Sequence, residues 1–326
     1  MDPFPRREAR PGGGRRHRRR AGARFSPMAF LALVAIVAGV IVTSSWLGSR
    51  TPSGQHGVHP PAVRVPTPSG LGASAPLNLQ GAAAGACVAY APTRGNLHKT
   101  VFIDPGHGGP DPGTSGATSN GTNLQEKTET LKVALAMLPM LRGAGYRVVL
   151  SRTTDSTVTS LGASDVNQSA LTTDAEIRDL NARVACANLA QASVLLSIHF
   201  NGFDDPSVGG TQTFYDDARS FTAADQALAG DIQSAVVKSL GLNDRGIVSD
   251  AQDQAETLTG KGAAYGHFIV LGPTDPGLVP TASAMPGALC EVGFLTDPSD
   301  AAVIQSHPDR VASGLVSGLE SFLGHP

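Results

Sequence analysis

Two histidines and two glutamates stand where a fold could bring their side chains together for metal-assisted chemistry. His107 follows an apolar run and a Pro-Gly break, and the glycines on both sides of it leave space around its imidazole. His199 ends a second apolar run, and Glu291 is near the end of a third. Glu126 falls in the first turn of a predicted helix, where the partial positive charge of the helix N-terminus favours a carboxylate. These settings favour metal binding or catalysis over packing.

The combination of residue types indicates which metal and which chemistry to expect. Two imidazoles and one carboxylate are a ligand set of catalytic zinc sites, which leave the fourth position for water. Zinc lowers the pKa of that water to about 7. Glu291 is then left over, in apolar surroundings that include Leu289, Val292 and Phe294. A buried carboxylate needs a cation or a proton to share, and beside a metal it can transfer protons. The residues therefore predict a zinc hydrolase with one Zn²⁺ per chain.

Each of these residues also has a structural interpretation. A lone histidine after a strand more often has a structural role, and Glu126 alone would be an ordinary solvated residue, as Glu129 is expected to be. The glycines around His107 could suggest a phosphate loop, but neither the dinucleotide-binding nor the P-loop spacing occurs. The other histidines are interpreted as structural or as parts of the tails, and His267 is the structural one to examine further; they are His17, His56, His59, His98, His267, His307 and His325.

The elements that must position these residues alternate between strands and helices. Strands are predicted at 100–104, 146–150, 194–199, 211–215, 267–271 and 287–292. Helices are predicted at 124–142, 174–191, 222–240 and 308–323. This alternation indicates an α/β fold with a single open, mostly parallel sheet and helices on both faces. Because ligands bind at the carboxyl ends of strands in such sheets, His107, His199 and Glu291 are expected to converge there.

Two predicted connections are long for an α/β domain, namely residues 154–173 and 249–266. Both are candidates for the rim of a cleft. The sequence leaves open whether they gate that cleft or are tolerated surface insertions.

The N-terminal part of the chain differs from the rest in charge and hydropathy. The first 25 residues carry nine arginines against two acids, whereas the remaining 301 residues carry 16 basic and 25 acidic side chains. Such an acidic body argues against nucleic acid as a partner. Residues 28–48 are apolar and uncharged, and they are long enough to cross a bilayer as a helix. The preceding arginines predict a cytoplasmic tail over 1–27, a single-pass anchor in the cell membrane and an external body.

The alternative for residues 28–48 is a cleavable secretory signal, which would leave the body secreted. An uncleaved anchor is favoured because the apolar run is long for a signal and residues 43–48 are a poor small-x-small cleavage site. Residues 49–97, rich in Pro, Gly, Ser and Ala, are predicted to be a linker, and residues 98–326 the catalytic domain. Both interpretations export the body to an oxidising compartment. There, Cys87, Cys186 and Cys290 allow one disulfide and one free thiol, and their pairing stays open.

Six short motifs occur in order between residues 103 and 296. They are Ile103-Asp104-Pro105-Gly106-His107-Gly108-Gly109, Gln125-Glu126-Lys127, Ser151-Arg152-Thr153-Thr154-Asp155, Ser197-Ile198-His199-Phe200-Asn201, Asp244-Arg245-Gly246 and Glu291-Val292-Gly293-Phe294-Leu295-Thr296. Together they resemble the zinc-dependent N-acetylmuramoyl-L-alanine amidases of bacterial cell walls, the amidase-3 type, which have a phosphorylase/hydrolase-like fold. The resemblance covers about residues 99–323. It implies that His107, Glu126 and His199 bind zinc, that Glu291 is the catalytic glutamate, and that Glu126 rather than Glu129 is the ligand.

The resemblance also implies a substrate. It is peptidoglycan, cleaved between the lactyl group of N-acetylmuramic acid and L-alanine of the stem peptide, with Glu291 moving a proton from water to the departing amine. An exported body fits this substrate, and no activating protein partner can be named. Three alternatives remain: a catalytically silent zinc-containing peptidoglycan-binding or regulatory protein, a zinc peptidase, and a membrane-tethered domain without a metal. Against the peptidase, the His-Glu-x-x-His motif is absent.

Overall fold

A mixed β-sheet forms the centre of the computed structural model, which describes residues 70–252 and 264–324. The strands are β1 (Ser74–Pro76), β2 (Ala86–Tyr90), β3 (Thr100–Pro105), β4 (Ser115–Ala117), β5 (Asn123–Gln125), β6 (Arg147–Arg152), β7 (Val166–Asn167), β8 (Ala170–Leu171), β9 (Val194–Asn201), β10 (Thr211–Tyr215), β11 (Asp244–Ser249) and β12 (Gly287–Phe294). The helices are α1 (Glu126–Gly143), α2 (Thr173–Leu189), α3 (Thr222–Leu240), α4 (Pro298–Ser306) and α5 (Pro308–Gly324).

Eight of these strands form the main sheet, in the order β1-β2-β6-β3-β9-β12-β10-β11. The four central strands β6, β3, β9 and β12 are parallel to one another. Strands β1 and β2 are antiparallel to their neighbours at one edge, and β10 is antiparallel to β12 near the other. The predicted α/β fold with an open, mostly parallel sheet is therefore confirmed. The reversal at β10 turns the carboxyl ends of β10 and β11 away from those of β9 and β12.

Alternation along the strands divides the core between the two faces of the sheet. Val101 and Ile103 of β3 point into a core that α1, α3 and α5 cover, whereas Phe102 points into a second core on the opposite face. Helix α2 covers that second core together with the segment 268–285. Helices therefore lie on both faces, as predicted, but most of them lie on one.

The predicted helices agree closely with the observed ones. The prediction of 222–240 matches α3, which ends at the left-handed Gly241 (φ 73°). Helix α2 begins one residue before the predicted 174, and the side chain of Thr172 accepts the capping hydrogen bond from the Ala175 amide.

The strand predicted at 267–271 is wrong. This segment forms turns in which the amides of Leu271 and Gly272 donate to the carbonyl of Phe268 at 3.0 and 2.7 Å. Its apolar residues are buried by packing onto the second core, so their hydrophobicity does not reflect pairing in a sheet. The strand that adjoins β10 is instead β11, which the sequence did not reveal because its exposed start, Asp244-Arg245-Gly246, masks the strand pattern.

The predicted linker over 49–97 is wrong from residue 74 onward, and the folded domain does not start at 98. Strands β1 and β2 extend the main sheet, and β2 pairs with β6 through register partners such as Val88 and Leu150. A disulfide joins Cys87 of β2 to Cys186 of α2, which answers the open pairing, while Cys290 is a buried free thiol. Strands β1 and β2 consist mostly of small residues, so their composition resembles that of a linker.

Some predictions lie outside the described residues. These are the tail 1–27, the anchor 28–48 and the first part of the linker. Within residues 70–252 and 264–324, no helix has the length and hydropathy to cross a membrane. Of the two long connections, 154–173 carries the small hairpin β7–β8, and Leu171 of that hairpin faces the cavity described below. Whether either connection gates a cleft stays a prediction.

Candidate active site

His107 is presented by the loop that leaves the carboxyl end of β3. The chain turns at Gly106, and a Cβ atom there would lie 2.3 Å from the His199 ring, so only glycine allows this approach. Asp111 lies on the far side of His107, with its Oδ2 atom 2.7 Å from Nδ1 of the imidazole. This contact leaves the Nε2 atom of His107 to face the other site residues, an arrangement typical of histidines that bind metals.

Glu126 is the first residue of α1 and is buried, with only 3% of its side chain exposed. Its Oε1 atom lies 3.1 Å from Nε2 of His107 and 2.9 Å from Nδ1 of His199. Two backbone amides hold the carboxylate in place: Phe200 donates to Oε1 at 3.0 Å and Thr114 donates to Oε2 at 2.7 Å. The carboxylate is therefore fixed between the two imidazoles before any ligand binds.

His107, Glu126 and His199, here called the first cluster, come from a loop, a helix and a strand that are far apart in the sequence. Each offers one ligand atom, and these atoms all lie within 4.8 Å of one another. The imidazole centroids are 4.9 Å apart, with the rings nearly perpendicular. Two nitrogen donors and one carboxylate oxygen at this spacing suit zinc. The structure thus brings together the three ligands predicted from the sequence.

The electrostatics of the first cluster show that it attracts positive charge. Burial alone would lower the pKa of His107, but the Glu126 and Asp111 carboxylates outweigh it and raise the pKa to about 10. Burial alone would raise the pKa of Glu126, but the two imidazoles hold it well below its usual range. A proton on the imidazole thus compensates the buried carboxylate in the absence of a metal, and a divalent cation would do so better.

Glu291 lies on β12, directly beside His199 of β9. The two residues are register partners in parallel strands, which places their side chains on the same face of the sheet. Glu291 and the first cluster line one cavity of about 1030 Å³. The predicted base is therefore on the strand next to a predicted ligand and faces the same space.

A network of buried charges beneath the site holds the His107 loop in place. Arg183 of α2 donates to Asp104 at 2.8 Å, to Asp179 at 2.9 Å and to the carbonyl of His107 at 2.7 Å. Arg152 of β6 is fully buried and donates to the carbonyls of Pro105 and Gly106 at 3.0 and 2.9 Å. The motif that contains Arg152 therefore positions the loop from below.

Sequence reasoning missed the positioning residues Asp111 and Arg183. Asp111 had a detectable signal, because an acid four residues after a loop histidine can orient its ring. Arg183 had none, since its partners Asp104 and His107 are more than 70 residues away and meet it only in the folded chain.

The rest of the cavity combines apolar and charged residues. Phe203, Phe268 and Val270 supply apolar wall, and Arg245 and Glu176 supply charge. Burial, and then the charge of Asp111, raises the pKa of Glu176 to about 7. Such a cavity can take a ligand with both apolar and polar parts.

Comparison with known proteins identifies the class of protein that this fold and site define. The Amidase_3 family model, described as N-acetylmuramoyl-L-alanine amidase, matches residues 101–321. The chain belongs to this family. It is accordingly a peptidoglycan hydrolase of the amidase class, and zinc dependence is a general property of that family.

Individual relatives agree with the family. The chain is 29% identical over 224 residues to the germination-specific N-acetylmuramoyl-L-alanine amidase of Bacillus subtilis, covering 68% of this chain and 78% of that protein. It is 34% identical over 227 residues to the sporulation-specific amidase of the same organism, covering 68% and 66%. A crystal structure of an N-acetylmuramoyl-L-alanine amidase from Clostridium difficile 630 matches with 30% identity and a TM-score of 0.50, covering 69% of this chain and 97% of that one.

Proposed function

We propose that this chain cleaves the bond between the lactyl group of N-acetylmuramic acid and L-alanine with one zinc ion held by His107, Glu126 and His199, and with Glu291 as the general base. The observation that carries the proposal is the convergence of these three ligands beside Glu291. Their donor atoms lie within 4.8 Å of one another, and Glu291 is the register partner of His199 at the same cavity.

Different residues of the chain have different roles in the proposed reaction. Zinc, when bound, supplies a Lewis acid that polarises the amide carbonyl and lowers the pKa of water. Asp111 orients His107 so that its Nε2 atom faces Glu126. Glu291 takes the proton of the attacking water and returns it to the departing amine of L-alanine. Because water donates the proton and the amine receives it, Glu291 is an unprotonated carboxylate both before and after the reaction.

A digestion experiment tests this function. Purified peptidoglycan is incubated with the zinc-loaded full chain, and the fragments are identified by mass spectrometry. We expect free peptides that begin with L-alanine, and glycan that retains the lactyl acid. Fragments cut within the stem peptide would instead make the chain a zinc peptidase, and intact peptidoglycan would favour the silent binding protein.

Glu291→Gln is the decisive variant in that experiment, because it keeps the shape of the side chain and removes the base. We expect zinc content to stay at one ion in the first cluster while hydrolysis falls about 10²- to 10⁴-fold. The matched control is Glu320→Gln, an exposed position on α5, which should retain full hydrolysis. Full activity of Glu291→Gln contradicts the proposed mechanism.

We further propose that residues 28–48 anchor the chain in the cell membrane and place the amidase domain on the cell-wall side. The apolar span after an arginine-rich segment supports this topology, as does the Cys87–Cys186 disulfide, a bond that persists in oxidising compartments. The test is the intact mass of the mature chain from the membrane fraction. A chain that lacks residues 1–48 and is found in the medium would establish the secreted alternative.

A further inference from the structure

A second group of histidine and carboxylate side chains lies at the other end of the strands. Asp216 follows β10, Asp250 follows β11, and His267 lies in the segment that leads back to β12. Along β10, Gln212 pairs with Glu291 and Phe214 with Leu289, so the strand runs away from the amidase site. These three residues, here called the second cluster, are therefore separate from the first cluster.

The ligand atoms of the second cluster have the spacing of a metal site. Nδ1 of His267 lies 2.9 Å from Oδ2 of Asp216 and 3.4 Å from Oδ1 of Asp250. Around a tetrahedral zinc ion with bonds of about 2.1 Å, neighbouring ligand atoms are about 3.4 Å apart. In the first cluster, the corresponding nitrogen–oxygen distances are 3.1 and 2.9 Å. The two groups thus have similar spacing.

Each carboxylate of the second cluster is held by the backbone through one oxygen and points the other at the centre. Asp216 accepts a hydrogen bond from the Ala218 amide at 2.9 Å through Oδ1, and Asp250 accepts one from the Phe268 amide at 3.0 Å through Oδ2. Metal ligands are commonly oriented in this way. The remaining oxygens, Oδ2 of Asp216 and Oδ1 of Asp250, both face Nδ1 of His267.

Burial makes the central oxygens costly without a cation. The side chains of Asp216 and Asp250 have no exposed surface, and that of His267 is 18% exposed. Oδ2 of Asp216 accepts no hydrogen bond from any residue within the described ranges, although Nδ1 of His267 is close to it. A buried carboxylate oxygen in this state is strongly unfavourable.

Neighbouring positive charges do not satisfy both central oxygens, Oδ2 of Asp216 and Oδ1 of Asp250, at the same time. The Nδ1 atom of His267 can carry a single proton, which can point at one of the two carboxylates but not at both. The guanidinium of Arg219 lies on the side of the other oxygen of Asp216, with its Nε atom 3.9 Å from Oδ1. Its Nη2 atom is committed to Asp225, at 3.0 and 3.1 Å from the two carboxylate oxygens. A divalent cation, in contrast, can contact all three central atoms at once.

We infer that Asp216, Asp250 and His267 bind a second divalent metal ion, of the first-row class that accepts imidazole together with carboxylates, such as Zn²⁺ or Mn²⁺. The ion has a structural role, because it joins the ends of β10 and β11 to the segment that begins at His267. That segment includes Phe268 and Val270, which line the cavity of the amidase site. Phe268 also packs edge-on against Phe214 of β10, at 5.3 Å between centroids.

Metal stoichiometry tests the inference without any activity measurement. The full chain is stripped with a chelator, dialysed against Zn²⁺ or Mn²⁺, and its metal content is measured by mass spectrometry. We expect two ions per wild-type chain, one in the double variant His107→Ala/His199→Ala, and one in Asp216→Asn. Asp217→Asn changes the exposed neighbour and should keep two. One ion in the wild type, lost completely in the double variant, overturns the inference.

A stability measurement covers the case in which Asp216→Asn does not fold. Within residues 70–252 and 264–324, the His107→Ala/His199→Ala background leaves the second cluster as the only group of side chains with the spacing of a metal site. Added Zn²⁺ should raise the Tm of this double variant, since an ion that binds only the folded chain stabilises it. Adding His267→Gln should abolish that shift. A shift that survives His267→Gln would place the ion elsewhere and refute the assignment. Neither measurement depends on hydrolysis. A failure of the second metal site can therefore be distinguished from a failure of the proposed amidase function.

Discussion

The two clusters use the same side-chain types in reversed proportion, at opposite ends of the strands of one sheet. The first cluster has two imidazoles and one carboxylate, and its histidines keep 24% and 16% of their side chains exposed toward a large cavity. The second has one imidazole and two carboxylates without exposed surface. Zinc sites for catalysis keep a position open to substrate, whereas structural sites are closed. Accessibility therefore distinguishes the roles of the two groups better than residue type does.

Because the proportion of imidazole to carboxylate differs, the carboxylates of the two clusters have pKa shifts of opposite direction. The imidazoles of the first cluster lower the pKa of Glu126 despite its burial. In the second cluster, burial and then the charge of Asp216 raise the pKa of Asp250 to about 6. A pair of buried acids cannot both ionise cheaply beside one imidazole. The second cluster thus has a greater need for a cation, although the proposed hydrolysis takes place at the first.

The largest expected effect separates the clusters by activity. His107→Ala should lose zinc from the first cluster and abolish hydrolysis, because a ligand of the reacting site is gone. His267→Ala should lose the second ion and reduce hydrolysis far less, since it changes only the support of the cavity wall. Metal content and muropeptide release, measured on both variants, check this. Equal loss of activity in the two would remove the distinction between catalytic and structural sites.

Substitution of one glycine beside each cluster tests the two sites separately, because the added Cβ atom would collide with a neighbour of that cluster only. The Cβ of Gly106→Ala would lie 2.3 Å from the His199 ring, and that of Gly272→Ala would lie 2.3 Å from Tyr265 Oη and 2.7 Å from the Cβ atom of His267. We expect Gly106→Ala to weaken zinc binding at the first cluster about 100-fold, by displacing a ligand. Gly272→Ala should weaken only the second. Zinc titrations on variants that lack the other cluster measure each effect; a reversed pattern contradicts the assignment.

A smaller effect is expected at the residue that orients His107. Asp111→Asn keeps a hydrogen-bonding side chain but removes the charge 2.7 Å from Nδ1. We expect zinc affinity and hydrolysis to fall about 10- to 100-fold, with the second ion retained. Asp111→Glu should restore part of both if charge is what matters. Unchanged zinc affinity in Asp111→Asn would show that the contact does not position the ligand.

The smallest effect concerns stability at the rim of the first cluster. The folded pKa of Glu176, about 7, is above its ordinary value, so the folded state binds more protons than the unfolded state between about pH 4.5 and 7. Stability contributed by the protonated carboxyl is therefore lost as pH rises through that window. Compared with the wild type, the free energy of unfolding of Glu176→Gln should therefore increase by about 1 to 2 kcal/mol between pH 5 and pH 8. This figure allows for the partial exposure of the side chain. Urea unfolding of both proteins at pH 5 and at pH 8 measures this change. A stability difference between variant and wild type that is the same at both pH values refutes the prediction.

Part of this molecule was predictable because the relevant signals are local. The glycine-flanked His107, the apolar run before His199 and the position of Glu126 in the first turn of a helix each combine a residue type with a short pattern, and α3 was predicted with its exact ends. Hydrophobic periodicity and turn residues depend only on neighbours in the chain. The α/β class and the candidates His107, His199 and Glu291 follow from such patterns, whereas the choice of Glu126 over Glu129 came from the resemblance to the amidase-3 family.

The sequence by itself determined the side-chain chemistry available at the strand ends, and with it the fold class and the expected metal. Only the tertiary structure decided which residues meet. It added β1 and β2 to the sheet, joined Cys87 to Cys186, and folded the supposed strand at 267–271 into turns. It also brought His267 to two acids that follow different strands. The physical reason is that register, edge pairing and loop packing depend on contacts between distant segments, whose energies no short stretch of sequence contains.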